Sequence, residues 1–151
     1  MYKKILVPLD GSKFSECTLD HLKAFVAAFK VPEVLLVSVL ESQPFGGTSA
    51  VFTPETVRGV QQQAEAQLGD YLSKRAADLK KEGVNAQVAV LRGNPADKIL
   101  EYTKKNNADL IIMSTHGHSG ATRWLIGSVA DKVVRHSPVP VLLVSPPGCR
   151  V

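Results

Sequence analysis

The chain has 151 residues, enough for one domain with one sizeable core. Hydrophobic residues make up 44% and charged residues 21%, a balance that excludes a disordered or fibrous chain. The net charge of +4 is spread thinly, and its densest group, Lys74-Arg75 with Lys80-Lys81, has the spacing of a solvated helix face rather than of a nucleic-acid surface.

The elements follow in chain order. Met1-Tyr2-Lys3-Lys4 runs directly into the apolar Ile5-Leu6-Val7-Pro8-Leu9, a first strand and not the apolar core of a signal peptide. Leu22, Phe25, Val26 and Phe29 form the stripe of a first helix, with Cys17 packing near its start. Val34 to Leu40 is a nearly continuous aliphatic run, a second strand. Glu41 to Phe52 carries Pro44, Gly46-Gly47 and several hydroxyl residues, and is long for a strand-to-helix connection. It is either a lid over the ligand crevice, 42–52 becoming ordered when a ligand binds, or merely a mobile insertion; the lid is the expectation. Thr53-Pro54 then reads as an N-cap with Pro in the first turn. The helix it opens has the stripe Val57, Val60, Ala64, Leu68, Tyr71, Leu72 and Leu79, and Gly83 stops it. Val84 to Leu91 is a third strand, and Asn94-Pro95 opens a third helix with Ala96, Ile99 and Leu100 inward. Leu110 to Met113 is a fourth strand, Val129, Val133 and Val134 belong to a fourth helix, and Val139 to Val144 is a fifth strand.

Strands of this aliphatic kind are covered on both faces, as in parallel sheets. Alternating strands and helices with right-handed crossovers then give a doubly wound α/β fold. The expected sheet has five parallel strands in the order 3-2-1-4-5 with helices on both faces. Strands one and four part at the switch point, and the segments meeting there are Asp10-Gly11-Ser12 and the stretch "STHGHSGATRWLIGS", residues 114–128.

That stretch leaves a buried strand through glycine and hydroxyl residues before starting a helix. Glycine allows close backbone approach, and a helix start offers N–H groups and positive partial charge to an anion. Gly117 and Gly127-Ser128 could therefore pinch a polyphosphate, with Ser128 as N-cap paired with Asp131. The alternative is that Gly117, Gly120 and Gly127 only shape a long turn. No Lys precedes Ser128, so this is not a P-loop. His116 and His118 lack a carboxylate cluster nearby and make a poor metal site; His116 contacts phosphate or braces the loop, and His118 is exposed. Arg123 either reaches a phosphate or is solvated, and Trp124 and Leu125 either anchor the loop in an apolar patch or form a contact surface. His21 and His136 fall on helix surfaces, and Cys149 lies in a Pro-Gly tail, so the two cysteines make no disulfide framework.

On the residues "KKILVPLDGS", "VLLVSVLE", "GNPADKILEYTKKNNADLIIMSTHG" and "GSVADKVVRHSPVPVLLV", the chain resembles the universal stress protein family over essentially its whole length. Nucleotide-binding members carry Gly, two residues, Gly, nine residues, then Gly with Ser or Thr. Here Ser114 stands at the first glycine, followed by Gly117 and Gly127-Ser128. The resemblance implies one adenine-nucleotide domain over residues 1–151, with ATP as ligand, with or without Mg²⁺. It implies that Asp10 takes the ribose hydroxyls, Pro8 and Leu9 line the adenine side, Val39 offers its main chain to the adenine edge, and Met113 packs on the base. It places phosphates at Gly117, Gly127 and Ser128 with the Val129 N–H, and leaves Ser114 either to crowd the ligand or to donate to it. Plain core for Val39 and Met113, and a helix-cap role for Asp10, remain open.

The expectation is a cytoplasmic ATP-binding regulatory protein that uses nucleotide occupancy as a switch, with an unknown protein partner, no nucleic acid and no membrane. Two rivals stand beside it. One is a slow ATPase or a phosphoryl- or adenylyl-transfer enzyme, which the lack of a triad, a P-loop lysine and an evident Mg²⁺ carboxylate pair argues against. The other is a stress protein that binds no nucleotide and acts through protein contacts. Val141-Leu142-Leu143-Val144 is apolar on both faces yet falls at the sheet edge, so a homodimer through this last strand is expected, as the resemblance also implies.

Overall fold

A computed structural model describes residues 1–42, 53–117 and 126–146. The expected lid from 43 onward, Gly120, His118, Arg123, Trp124, Leu125 and Cys149 lie outside the described residues. The elements run β1 (Lys4–Pro8), α1 (Lys13–Glu16), α2 (Thr18–Phe29), β2 (Glu33–Leu40), α3 (Pro54–Lys81), β3 (Ala86–Arg92), α4 (Pro95–Lys105), β4 (Leu110–Ser114), α5 (Ser128–His136) and β5 (Val141–Val144). The five strands form one parallel sheet in the order β3-β2-β1-β4-β5, the order expected from the sequence.

Alternate residues of each inner strand enter opposite cores, as period-two side-chain geometry requires. Ile5, Val7, Val34, Leu36, Leu110 and Ile112 pack on one face with Leu22 of α2 and with Leu72 and Leu79 of α3. Leu6, Leu35, Val37, Ile111 and Met113 pack on the other face with Ala96 and Ile99 of α4 and with Ala130 and Val133 of α5. Burial on both faces is why these strands read as aliphatic runs.

Turn chemistry sets the boundaries. Thr53 and Asn94 cap α3 and α4 through their side chains, each with Pro in the first turn. Gly83 takes φ +83 after α3. Val84 N–H then donates to the Leu79 carbonyl at 3.0 Å, so Val84 closes the helix and β3 begins only at Ala86. Pro138 and Pro140 have no N–H to give a ladder, and β5 accordingly starts at Val141.

Some details depart from the sequence pattern. The first helical region is split into α1 and α2. Val60 is exposed although it continues the α3 stripe. A 28-residue helix is about 42 Å long, whereas the eight-residue β2 spans about 26 Å, so the first turns of α3 overrun the sheet. Val134 is also exposed, because its neighbour Val133 takes the buried position of the stripe. Leu100 is half-buried against the α4–α5 face.

Candidate functional site

Strand pairing opens the site. β1 and β4 are registered at Ile5↔Leu110 and Leu6↔Ile111. Beyond that, β1 continues only on its β2 side, to Pro8↔Val37, and β4 only on its β5 side, to Ser114↔Val144. The carboxyl ends of the two central strands therefore separate, and a crevice of about 500 Å³ lies between them. That is within the usual range of small-ligand sites. Pro8, Leu9, Asp10, Val39, Met113, Ser114, His116, Gly117, Gly127, Ser128 and Val129 all stand on its walls.

Each wall follows from local geometry. Leu9 N–H donates to the Val37 carbonyl at 2.8 Å, the last bond between the first two strands. Val39 lies two residues further along β2, so its main-chain N–H and C=O point to the same side, where β1 has ended. The buried Ser38 hydroxyl donates to the Leu9 carbonyl and fixes the end of β1. Met113 is buried among the α4–α5 core residues and also faces the crevice.

Asp10 is held at its main chain and at its side chain. Its N–H donates to Ser15 Oγ at 3.3 Å, and its Oδ1 accepts from the Ser12 N–H at 2.9 Å and the Ser12 hydroxyl at 2.5 Å. A Cβ placed on Gly117 would stand 2.2 Å from Asp10 Oδ2, so the glycine is what lets this carboxylate lie against the β4 turn.

The β4 turn is tied differently. Thr115 N–H donates to the Val144 carbonyl at 3.0 Å, and Gly127 N–H donates to the Thr115 carbonyl at 2.9 Å. The two ends of the glycine-rich stretch are thus joined through the main chain. A Cβ on Gly127 would meet the Thr115 carbonyl oxygen at 2.8 Å. The close approach that Gly127 permits is to the protein's own backbone. His116 is buried, with Nδ1 2.8 Å from Thr115 Oγ1. Ser114 Oγ donates to the His116 carbonyl at 2.6 Å, inside the turn.

The helix start corrects one expectation. Ser128 is not the N-cap: Gly127 occupies that position with φ −57 and ψ 151, no side chain caps the helix, and Ser128 is its first residue. The bond from Gly127 N–H to Thr115 holds Gly127 extended as the cap, so the helix begins at Ser128, one residue earlier than a Ser128 cap would give. Asp131 N–H makes the first intrahelical bond, to the Gly127 carbonyl at 2.9 Å, leaving the N–H groups of Ser128, Val129 and Ala130 as the first-turn donors on the crevice wall.

Sequence reasoning missed several lining residues. Ser15 and Ser38 carry no motif, and Leu68 reads as core on the α3 stripe, yet all three face the crevice with Thr115, Pro95 and Ile99. The only advance signal was the three-residue spacing of Ser12 and Ser15, a cap spacing. Away from the crevice, the Tyr71 hydroxyl donates to Glu16 at 2.7 Å and joins α3 to α1. Burial, and then this bond to a carboxylate, raise the Tyr71 phenol well above its ordinary pKa. Among the described residues no cluster of His, Cys, Asp and Glu could hold a metal ion, and no helix is long and apolar enough to cross a membrane.

The model of the Universal stress protein family matches residues 1–145. Universal stress protein MJ0531 of Methanocaldococcus jannaschii is 34% identical over 148 residues, covering 97% of this chain and 84% of that protein. The solved structure of MJ0577, from the same organism, is 30% identical, covers 96% of each chain and superposes with a TM-score of 0.74. The universal stress protein of Archaeoglobus fulgidus in complex with dAMP shares the fold at 23% identity, covering 94% of this chain and 97% of that one, with a TM-score of 0.60.

Proposed function

This chain belongs to the universal stress protein family, and on that premise we propose that residues 1–151 form one adenine-nucleotide domain that binds ATP in the crevice and works as a regulatory switch read by nucleotide occupancy. The observation that carries this reading is convergence. The Asp10 carboxylate, the open main-chain pair of Val39 and the first-turn N–H groups of α5 border one crevice with apolar walls. These groups suit a ribose, a base edge and a phosphate in turn. Leu9, Met113 and Leu68 supply apolar surface for the base, and the dAMP complex of the A. fulgidus relative supports an adenine ligand.

Ser114 does not stand against this assignment, because its hydroxyl is turned inward to the His116 carbonyl. Any Mg²⁺ would then be held mainly by the phosphates and water. The crevice is lined by two carboxylates, Asp10 with its Oδ1 bonded to Ser12 and Glu41 just past the end of β2, and among the described residues it holds no activated nucleophile, which fits at most slow ATP hydrolysis. β5 is the edge of the sheet and is apolar, and the proposed homodimer pairs along it. Sedimentation at micromolar concentration should give twice the chain mass, and charges at Leu142 and Leu143 should halve it.

The deciding experiment takes protein purified without added nucleotide, identifies adenine nucleotide in a denatured extract by mass, and titrates stripped protein with ATP by calorimetry. Saturable binding of one ATP per chain is expected. No binding at millimolar ATP would leave the protein-contact role, and ADP release well above the uncatalysed rate would favour the enzyme.

A further inference from the structure

The turn after β1 is built around one carboxylate. Gly11 takes φ +86 and folds the chain back, so that both donors of Ser12 reach Asp10 Oδ1. Ser12 Oγ also accepts from the Ser15 N–H at 3.2 Å, capping the four-residue α1. Ser15 Oγ donates to the Ser12 carbonyl at 2.9 Å, which braces the turn from behind. On its other side the carboxylate is bounded by Gly117, where a Cβ would stand 2.2 Å from Oδ2. The terminal torsion of an aspartate is intrinsically broad, so its plane is set by its partners. Here one oxygen is fixed by two donors and the other is confined by a backbone position without a side chain.

We infer that Ser12 is a positioning residue. Its hydroxyl fixes the plane of the Asp10 carboxylate so that it can take the paired 2′- and 3′-hydroxyls of a ribose, and it thereby sets the preference of the crevice for ribonucleotides. This rests on the nucleotide reading of the crevice. Two vicinal hydroxyls reward an acceptor already in orientation, whereas a freely turning carboxylate must be ordered on binding.

The test compares ATP with 2′,3′-dideoxy-ATP by calorimetry on the wild type, Ser12→Ala, Ser12→Asp and Ser12→Thr. Thermal melts followed by circular dichroism confirm that each is folded. The wild type should prefer ATP by about tenfold, the size of one good hydrogen bond to a charged group. Ser12→Ala should shrink that ratio to within about threefold while leaving dideoxy-ATP affinity nearly unchanged. Ser12→Asp keeps a side chain able to cap α1 but replaces the donor with a second carboxylate, so it should lose the ratio at least as fully. Ser12→Thr keeps the hydroxyl and should restore it. Retention of the wild-type ratio in Ser12→Ala would overturn the inference. So would equal weakening of both nucleotides, which is what a purely structural cap would give, or a wild type without ribose preference. A wild type that binds neither nucleotide would instead sink the reading of the crevice.

Discussion

The turns that leave β1 and β4 face each other across the same crevice and both depend on glycine, but they are held together by different chemistry. The β1 turn is a side-chain construction in which Ser12 and Ser15 hydroxyls hold the Asp10 carboxylate and amide. The β4 turn is a main-chain construction in which Thr115 is bonded forward to Gly127 and sideways to β5. Gly117 makes room for the end of a side chain, and Gly127 makes room for a main-chain carbonyl. Two glycines of one loop pattern therefore protect different things, and their substitutions should fail in different ways.

The largest effect is expected at Gly127. An alanine there puts a methyl 2.8 Å from the Thr115 carbonyl oxygen, and the only relief is movement of the backbone. Overpacking of this kind, with strain on the 2.9 Å bond between the two residues, should cost about 3 kcal/mol in urea unfolding. Nucleotide binding should fall with it, because α5 starts at the next residue. Gly127→Glu would add a carboxylate at the start of α5 but carries the same clash, so its loss of binding should be accompanied by a loss of stability. A Gly127→Ala protein as stable as the wild type would show that this end of the loop is not tied as described.

Gly117→Ala should cost less, about 2 kcal/mol, because the clashing atom is the end of a side chain. Asp10 can turn away, giving up at least its bonds from Ser12, and bonds of that kind set the scale of the cost. The comparison sharpens in a double-mutant cycle. In an Asp10→Ala background the clash is gone, so Gly117→Ala should become nearly neutral for stability, whereas Gly127→Ala should keep its full cost. Equal behaviour of the two glycines in that background would erase the distinction.

The same contrast explains what the sequence could and could not show. The strands and their order were legible because apolar runs such as Val34 to Val37 are buried on both faces. The caps of α3 and α4 were legible because Thr53-Pro54 and Asn94-Pro95 act over three residues. The Ser128 cap was misread because the competing contact, Gly127 to Thr115, joins residues twelve apart in the chain. Leu68, Ser15 and Ser38 were missed because facing a crevice rather than a core depends on where a neighbouring strand stops pairing. That stop, just past Leu6↔Ile111, is a property of register and not of any one segment. The overrun of α3 past the sheet hid in the same way, since Val60 continues a faultless stripe.

Ser114 gives the smallest and most discriminating test of the β4 turn. It stands where the family pattern has glycine, and the resemblance left it either to crowd the ligand or to donate to it. In the structure Oγ donates to the His116 carbonyl at 2.6 Å in a buried setting, and Ser114 is the last residue of β4. The backbone there is ordinary strand, with no positive φ that would require glycine. Ser114→Ala removes the hydroxyl while leaving the backbone preference alone, so it should cost about 1 kcal/mol, one net hydrogen bond. ATP affinity should change by less than about twofold, because a hydroxyl committed to His116 is not the phosphate's donor. A tenfold loss of ATP affinity with unchanged stability would reverse that assignment and make Ser114 a ligand of the nucleotide. Ser114→Gly separates the hydroxyl from the chain's own stiffness: it should cost up to about 1 kcal/mol beyond the alanine variant, through added freedom in the unfolded chain, without weakening ATP further.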